Sequence, residues 1–356
     1  MNNKITCKDI VNRLEEHHMA YDIVTLENGF QIIVTEYGGR IFGPFDKDGI
    51  SVLWVNEVFS DCSKFNDFME KEEWNLGGDR LWIAPELEFF CTEPSKFDET
   101  YTVQRNMDPG YYRIEMMDEG VCLQNEAEVE ILGDGNTKMY SCERRISSAK
   151  NPLEYVSSID KDKVKYCGYV QDILLKDKKK NQKMYLEPWI LTQINPGGKV
   201  IVPYLGTFDF VDYYEPVDET CQKIFDGYAE LNITGKRKYK TAYRSANTFG
   251  RMGYVNRTPG GDWYLMIRNY YNDPSIPYCS EPWKNLGDKG CSMYFYNDDG
   301  STGGFAEFEN SCATIGMDAN RDCSYSTTSL WFFMGEKEEL EKIIKVLLGV
   351  SYKICE

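Results

Sequence analysis

Histidine is nearly missing from this chain: two of 356 residues, adjacent at His17 and His18. A Ser-His-Asp or Cys-His nucleophile needs an imidazole beside the nucleophile, and a single pair in one N-terminal segment builds neither convincingly. Basic residues are outnumbered, 40 Lys+Arg against 57 Asp+Glu, for a net charge of −17. A phosphate-binding surface needs a local excess of Lys and Arg, so no nucleic-acid partner is expected. The longest apolar stretches, such as Leu330 to Met334 and Ile343 to Leu348, fall far short of the roughly 20 residues that cross a bilayer, so no membrane partner is expected either.

Met1 to Ala20 carries charges throughout and lacks the continuous apolar core of a secretory leader, which makes a cytoplasmic protein the expectation. Twelve cysteines are present but never closer than eleven positions apart. Short pairs such as C-x₂-C are missing, so the thiols read as reduced and mostly buried, and neither a metal nor a cofactor is expected.

What the chain does have is strand signal. Hydrophobic residues make up 42% and aromatics 14%, ample for a packed core. Segments rich in β-branched and aromatic residues follow one another: Tyr21 to Leu26, Phe30 to Glu36, Val52 to Val55, Tyr101 to Asn106, Tyr111 to Met117, Val121 to Leu132 and Met139 to Ser147. Turn signals such as Asp108-Pro109-Gly110 and Asp134-Gly135-Asn136 separate them. The second half repeats the texture at Val164 to Leu175, Lys199 to Pro203, Lys223 to Thr234, Trp263 to Asn269 and Met293 to Asn297. Helical spacing is confined to Asp9 to Met19 and to Glu336 to Leu348, where Leu340, Ile343, Ile344 and Leu347 form a stripe and Gly349 a stop. The pattern predicts an all-β, antiparallel sandwich or barrel. An N-terminal helix over 1–20 belongs to the same domain, and 21–356 form one β domain ending in a C-terminal helix.

Four segments concentrate Gly, Arg, Trp and Glu beyond what sandwich strands require: 37–41 with Gly38-Gly39-Arg40, 77–86 with Gly78-Asp79-Arg80-Leu81-Trp82 and Glu86, 187–198 with Trp189 and Gln193, and 303–310 with Glu307 and Glu309. Paired glycines admit a close-lying ligand, indole faces stack on sugar rings, and Arg with Glu or Gln grips ring hydroxyls. Each residue also has a plainer reading. Arg40 and Arg80 can be structural ion pairs, and Trp82 and Trp189 can be core. Regular alternation puts Phe305, Glu307 and Glu309 on one strand face, either solvated or lining a polar cleft. Asn297-Asp298-Asp299-Gly300 reads as a hairpin turn rather than a calcium loop, and Lys176 to Lys183 as a solvated loop. Gly250-Arg251-Met252-Gly253 lacks a phosphate-loop context.

In their order along the chain, the Gly-Gly-Arg segment, the Gly-Gly-Asp-Arg-x-Trp-x-x-Pro-Glu segment, the Ile-Val-Pro strand end, and Tyr-Asn-Asp-Asp-Gly followed by Phe-Ala-Glu-Phe-Glu resemble the galactose mutarotase-like superfamily, in a branch related to aldose 1-epimerases. The resemblance runs from about Asn28 to the final helix. It implies a galactose mutarotase-like β-supersandwich whose cleft takes a small-molecule sugar or sugar phosphate. In that family's epimerases a late-strand Glu takes the anomeric proton and a His protonates the ring oxygen. Glu307 matches the base best, with Glu309 the alternative, and Arg40 and Arg80 look like the family's glycine-flanked arginines. Trp82, Glu86, Trp189 and Gln193 complete the candidate substrate-binding set. The departure is the acid: both histidines precede the first motif, so a Tyr or a raised Glu86 would have to replace it. An epimerase-type isomerase, a non-catalytic sugar-binding protein and a polysaccharide-lyase relative are the readings that follow.

Overall fold

The computed structural model describes residues 4–179, 184–214 and 216–355. Strands β1 (Tyr21–Thr25), β2 (Gln31–Thr35), β3 (Ile41–Phe42) and β4 (Asp79–Ala84) open one sheet. β5 (Arg113–Met116), β6 (Val121–Ile131), β7 (Asn136–Ser148) and β8 (Val164–Asp177) then run as antiparallel neighbours in a second. The chain returns to the first sheet with β9 (Glu187–Ile194), adds β10 (Lys199–Pro203) to the second, and places β11 (Phe210–Asp212) at the far edge of the first. β12 (Gln222–Phe225), β13 (Tyr228–Asn232), β14 (Tyr239–Arg244), β15 (Arg251–Arg257), β16 (Trp263–Tyr270), β17 (Cys291–Asn297), β18 (Ala306–Ser311) and β19 (Cys323–Gly335) complete both. The nine-stranded order is β1-β2-β3-β4-β9-β18-β17-β14-β11, and the ten-stranded order is β12-β13-β10-β15-β16-β19-β8-β7-β6-β5, antiparallel throughout. This is the all-β antiparallel architecture expected from the alternation of strand and turn signals.

The core lies between the sheets. Val34, Tyr239, Phe295 and Phe308 of the nine-stranded sheet meet Leu123, Tyr169, Met266 and Phe332 of the other. Helix α1 (Cys7–Glu16) is started by a capping box between Thr6 and Asp9 and buries Ile10 and Leu14. Both pack with Phe65 and Phe68 of α2 (Cys62–Glu70). Two single-turn helices, α3 (Glu86–Phe90) and α4 (Phe97–Thr100), follow β4. α5 (Lys337–Leu348) lays its Leu340, Ile343, Ile344 and Leu347 stripe on the outer face of the ten-stranded sheet, against Val255, Leu265 and Phe333, and ends at Gly349 with φ 74°. Burying each aliphatic side chain contributes roughly 1.5–3 kcal/mol. Among the described residues no helix is long and apolar enough to cross a membrane.

Some expected elements differ. Val52 to Val55 and Tyr101 to Asn106 make only isolated bridges rather than strands. Gln104 and Asn106 bond the backbone of Phe89, Glu128 and Glu130 with their side chains, which replaces a ladder. Lys223 to Thr234 is a hairpin, β12–β13, folded at Asp226-Gly227 where Gly227 has φ 80°. Helix α2 went unrecognised because its apolar stripe is only Phe65 and Phe68, although Asp61 caps it. In the stretch 176–183, Lys178 and Lys179 pair with Glu126 and Glu128, and residues 180–183 lie outside those described. Asp298 accepts bonds from the Gly300, Thr302 and Gly304 amides, so its carboxylate is spent on the β17–β18 loop, as a hairpin connection requires.

Candidate functional site

Burial along the strands shows where the site lies. β6 alternates buried and exposed positions, as a strand with one wet face must. β4, β9 and β18 are buried at every position, so the outer face of the nine-stranded sheet is covered as well, although it carries polar residues. Residues directly paired across antiparallel strands share a face. Glu307 pairs with Gln193 and with Tyr296, and Tyr296 with Lys240. Glu309 and Arg80 both pair with Leu191, and Trp82 pairs with Trp189. Since Phe308 points into the core, all of these point outward.

Two linked groups form on this face. In the first, Glu307 Oε1 accepts from Arg80 Nη2 at 2.8 Å and from Gln193 Nε2 at 3.1 Å. The Arg80 guanidinium lies 4.2 Å from the Trp82 ring centroid and 5.1 Å from that of Trp74. Behind it, Asp108 Oδ2 accepts from Arg40 Nη2 at 2.7 Å and Trp82 Nε1 at 2.9 Å. Arg40 also donates to the carbonyls of Trp74 and Gly77, so both its terminal nitrogens hold that turn. In the second group, Glu309 Oε2 accepts from Trp189 Nε1 at 2.8 Å, and Lys240 Nζ stands 3.8 Å from it while donating to Glu86 at 3.1 Å. Lys240 also lies 4.6 Å from the Trp189 ring centroid.

All eight candidates therefore gather on one side of the molecule. Arg80, Gln193 and Glu307 are in direct contact, Arg40 and Trp82 join through Asp108, Trp189 joins through Glu309, and Glu86 joins through Lys240. Trp82 and Trp189 are 2% and 3% exposed, with their N–H groups aimed at carboxylates, so neither offers a ring to solvent. The half-buried indole beside Arg80 is that of Trp74. Sequence reading did not single out Asp108, which sits in a turn signal, or Lys240, which follows the basic run Lys236 to Lys238. Tyr101, Tyr214 and Tyr296, all within electrostatic range of Glu307, were lost among 25 tyrosines. The period-2 offset of Lys240 from Ala242 on β14 was the one available signal.

Access and protonation divide the cluster. Glu307 is 8% exposed, while Arg80, Gln193 and Glu309 are fully buried. Arg80 Nη1 and Gln193 Oε1, flanking Glu307, have no hydrogen-bond partner, nor has Glu309 Oε1. Burial pushes the Glu309 carboxyl up to about 8 against the opposing pull of Lys240, so it holds its proton at neutral pH. Burial and the nearby carboxylates of Glu86 and Glu307 also raise the Tyr101 and Tyr214 phenols, which stay protonated. The arrangement therefore holds two slightly exposed carboxyls, Glu307 and Glu86, with a buried unpartnered donor and acceptor and neutral phenols nearby.

The chain belongs to DUF6786, a family of unknown function. The family model matches residues 7–356 of this DUF6786 protein, and no curated protein matches it. Among solved structures it is similar to a galactose mutarotase-like protein from Lactobacillus casei ATCC 334, at 10% identity over 88% of this chain and 99% of that one, with a TM-score of 0.43. It is likewise similar to galactose 1-epimerase from Lactobacillus acidophilus NCFM, at 11% identity over 89% and 95% of the two chains, TM-score 0.43. A 4-alpha-glucanotransferase from Thermococcus litoralis matches at 10% identity and a TM-score of 0.35, with only 40% of its chain covered.

Proposed function

We propose that the outer face of the nine-stranded sheet binds a carbohydrate and that Glu307 acts there as the base of an aldose epimerase-type reaction. The observation that carries this reading is the pair of unpartnered buried atoms, Arg80 Nη1 and Gln193 Oε1, beside the accessible carboxylate of Glu307. A buried donor and a buried acceptor left open cost free energy unless a ligand satisfies both, and a sugar hydroxyl both donates and accepts. In the reaction, Glu307 takes the proton of the anomeric hydroxyl, Arg80 and Gln193 hold that carboxylate in place, and Glu309, whose carboxyl is kept protonated at neutral pH by burial, gives a proton to the ring oxygen as the ring opens. Reclosure on either face exchanges the anomers, and the protons return to where they began. Trp82, Trp189 and Arg40 serve as positioning residues for Asp108, Glu309 and the Trp74 turn.

One observation favours a second reading, a sugar-binding protein without turnover. His17 bonds Asn66 of α2 and His18 follows α1, so this outer-face cluster contains no imidazole to serve as the usual acid. NMR of anomer exchange, run on a panel of aldoses with and without protein, separates the two. Acceleration lost by about 10²- to 10⁴-fold in Glu307→Gln is the expected result for a general base. Acceleration that survives the substitution excludes Glu307 as the base, and binding without acceleration establishes the second reading.

A further inference from the structure

The outer-face cluster is capped on one side by Trp74, which covers the Arg80 guanidinium. Beside it lies a cavity of about 1020 Å³, bounded by segment 54–60, by residues 73–75 and by the loop joining β17 to β18. Small-molecule pockets run to about 300–1,000 Å³, so the space is large enough for a sugar ring, and Trp74 separates it from Arg80 and Glu307, which do not line it. Its lining is mixed: the indoles of Trp54 and Trp74 stand among Asn56, Asn75 and Ser301, with the carboxylates of Glu57 and Glu73 and the amines of Lys4 and Lys236 at its walls. Amides, carboxylates, amines and a hydroxyl set around indole rings complement a chain of sugar rings, which has apolar ring faces and polar rims.

Three features tie this cavity to the site. Trp74 lines it while also covering the Arg80 guanidinium, so the cavity begins one side chain away from the Arg80–Glu307 pair. Asn75, nine-tenths buried, lines the cavity and donates through Nδ2 to the Thr302 carbonyl, while its own buried Oδ1 has no partner. The β17–β18 loop is built in advance. Asp298 ties down its amides, and Gly303, with φ 131°, packs so closely on Trp54 that a Cβ would come within 2.8 Å of the ring. A preformed wall costs a ligand little ordering entropy.

We propose that the ligand is an oligosaccharide, with one ring at Glu307 and the next in the cavity against Trp74; the inference rests on the carbohydrate reading above. Each added ring that stacks and hydrogen-bonds in a preformed site should raise affinity by about tenfold. The test is a glycan array followed by titration calorimetry of matched mono-, di- and trisaccharides, on wild type, Trp74→Ala and Ser301→Arg. Ser301 is exposed on the loop, so the arginine fills the cavity without disturbing the core. The expected result is a di- to monosaccharide affinity ratio of about ten or more in wild type, falling towards one in both variants. Equal affinity for all lengths, or a ratio unchanged by Ser301→Arg, overturns the inference and leaves the carbohydrate reading standing. Absence of binding to any glycan overturns both.

Discussion

Asp79 and Arg80 are adjacent in sequence yet belong to two different charged clusters, on opposite faces of β4. On the inner side Asp79 accepts from Tyr169 at 2.7 Å, Gln171 at 3.1 Å and Arg268 at 3.3 Å. Arg268 continues to Asn310 and Thr192, and Arg144 holds Gln171 and the Gly39 carbonyl. These bonds join β4, β9 and β18 of one sheet to β7, β8 and β16 of the other, and the side chains they join are buried. On the outer side, similar residue types surround Glu307, which reaches solvent and has open bonding positions beside it. Arginine and carboxylate chemistry is common to both. Unpartnered buried atoms are common to both as well, Asp79 Oδ1 and Arg268 Nε among them. Access separates them, because a cluster sealed between two sheets locks them together, whereas one with a member at the surface is available to a ligand.

The largest test of this contrast is Asp79→Ala. Removing it leaves Arg144 and Arg268 without their carboxylate in the interior, and such uncompensated charge costs about 3–5 kcal/mol, readable as a lower urea midpoint. A loss below about 1 kcal/mol would remove the structural role assigned to the inner cluster. Glu307→Gln should cost less, about 1–3 kcal/mol, because the amide oxygen can still accept from Arg80 and Asp108 remains 3.8 Å from that guanidinium, while carbohydrate binding or turnover suffers more. If it unfolds the protein as Asp79→Ala does, the two clusters are not different in kind.

A smaller effect concerns pH. On the outer face three cations, Arg40, Arg80 and Lys240, meet four carboxyls, Asp108, Glu86, Glu307 and Glu309, and the charges balance while Glu309 is protonated. Burial raises Glu309 to about 8 and, at the other end of β9, Glu187 to about 7, both from 4.5. The folded state therefore keeps protons that the unfolded chain has released. Their contribution is complete below about pH 4.5 and is lost as pH rises through about 7 to 8. Denaturation across pH 5–9 should show this decline, and Glu309→Gln should flatten its upper part by on the order of 1–3 kcal/mol. A profile unchanged by that substitution would show that Glu309 is not the titrating group.

The smallest effect is at the histidines. His18 sits at φ 55°, where a side chain is strained, so His18→Gly should raise stability by up to about 1 kcal/mol without affecting carbohydrate binding. Loss of anomer exchange in that variant, with sugar binding retained, would place the missing acid at His18, just after α1.

Much of this architecture could be read from pattern. Period-2 alternation with Gly-, Asn- and Asp-rich turns marked most strands, and the 3.6-residue stripe ending at Gly349 marked α5, because local sterics and one-sided burial write themselves into residue order. That Phe305, Glu307 and Glu309 face one way follows from strand geometry alone. What alternation cannot express is a strand covered on both faces. β9 is buried at all eight positions, so nothing local distinguishes Trp189 as an indole bonded to Glu309 from Trp189 as core.

Strand and helix periods, the acidic balance and the scarcity of imidazole are legible in residue order, each a property of composition or of neighbours within a few residues. Only the tertiary structure decided that Asp108 from a turn signal and Lys240 from a basic stretch would be buried partners of Arg80 and Glu309, and that Arg80 would meet Glu307 across 227 positions. It also decided which of two neighbouring residues, Asp79 or Arg80, would face the interior. Register and sheet order set those choices, and they arise from hydrogen bonding and burial between segments distant in sequence, whose pairing no local spacing records.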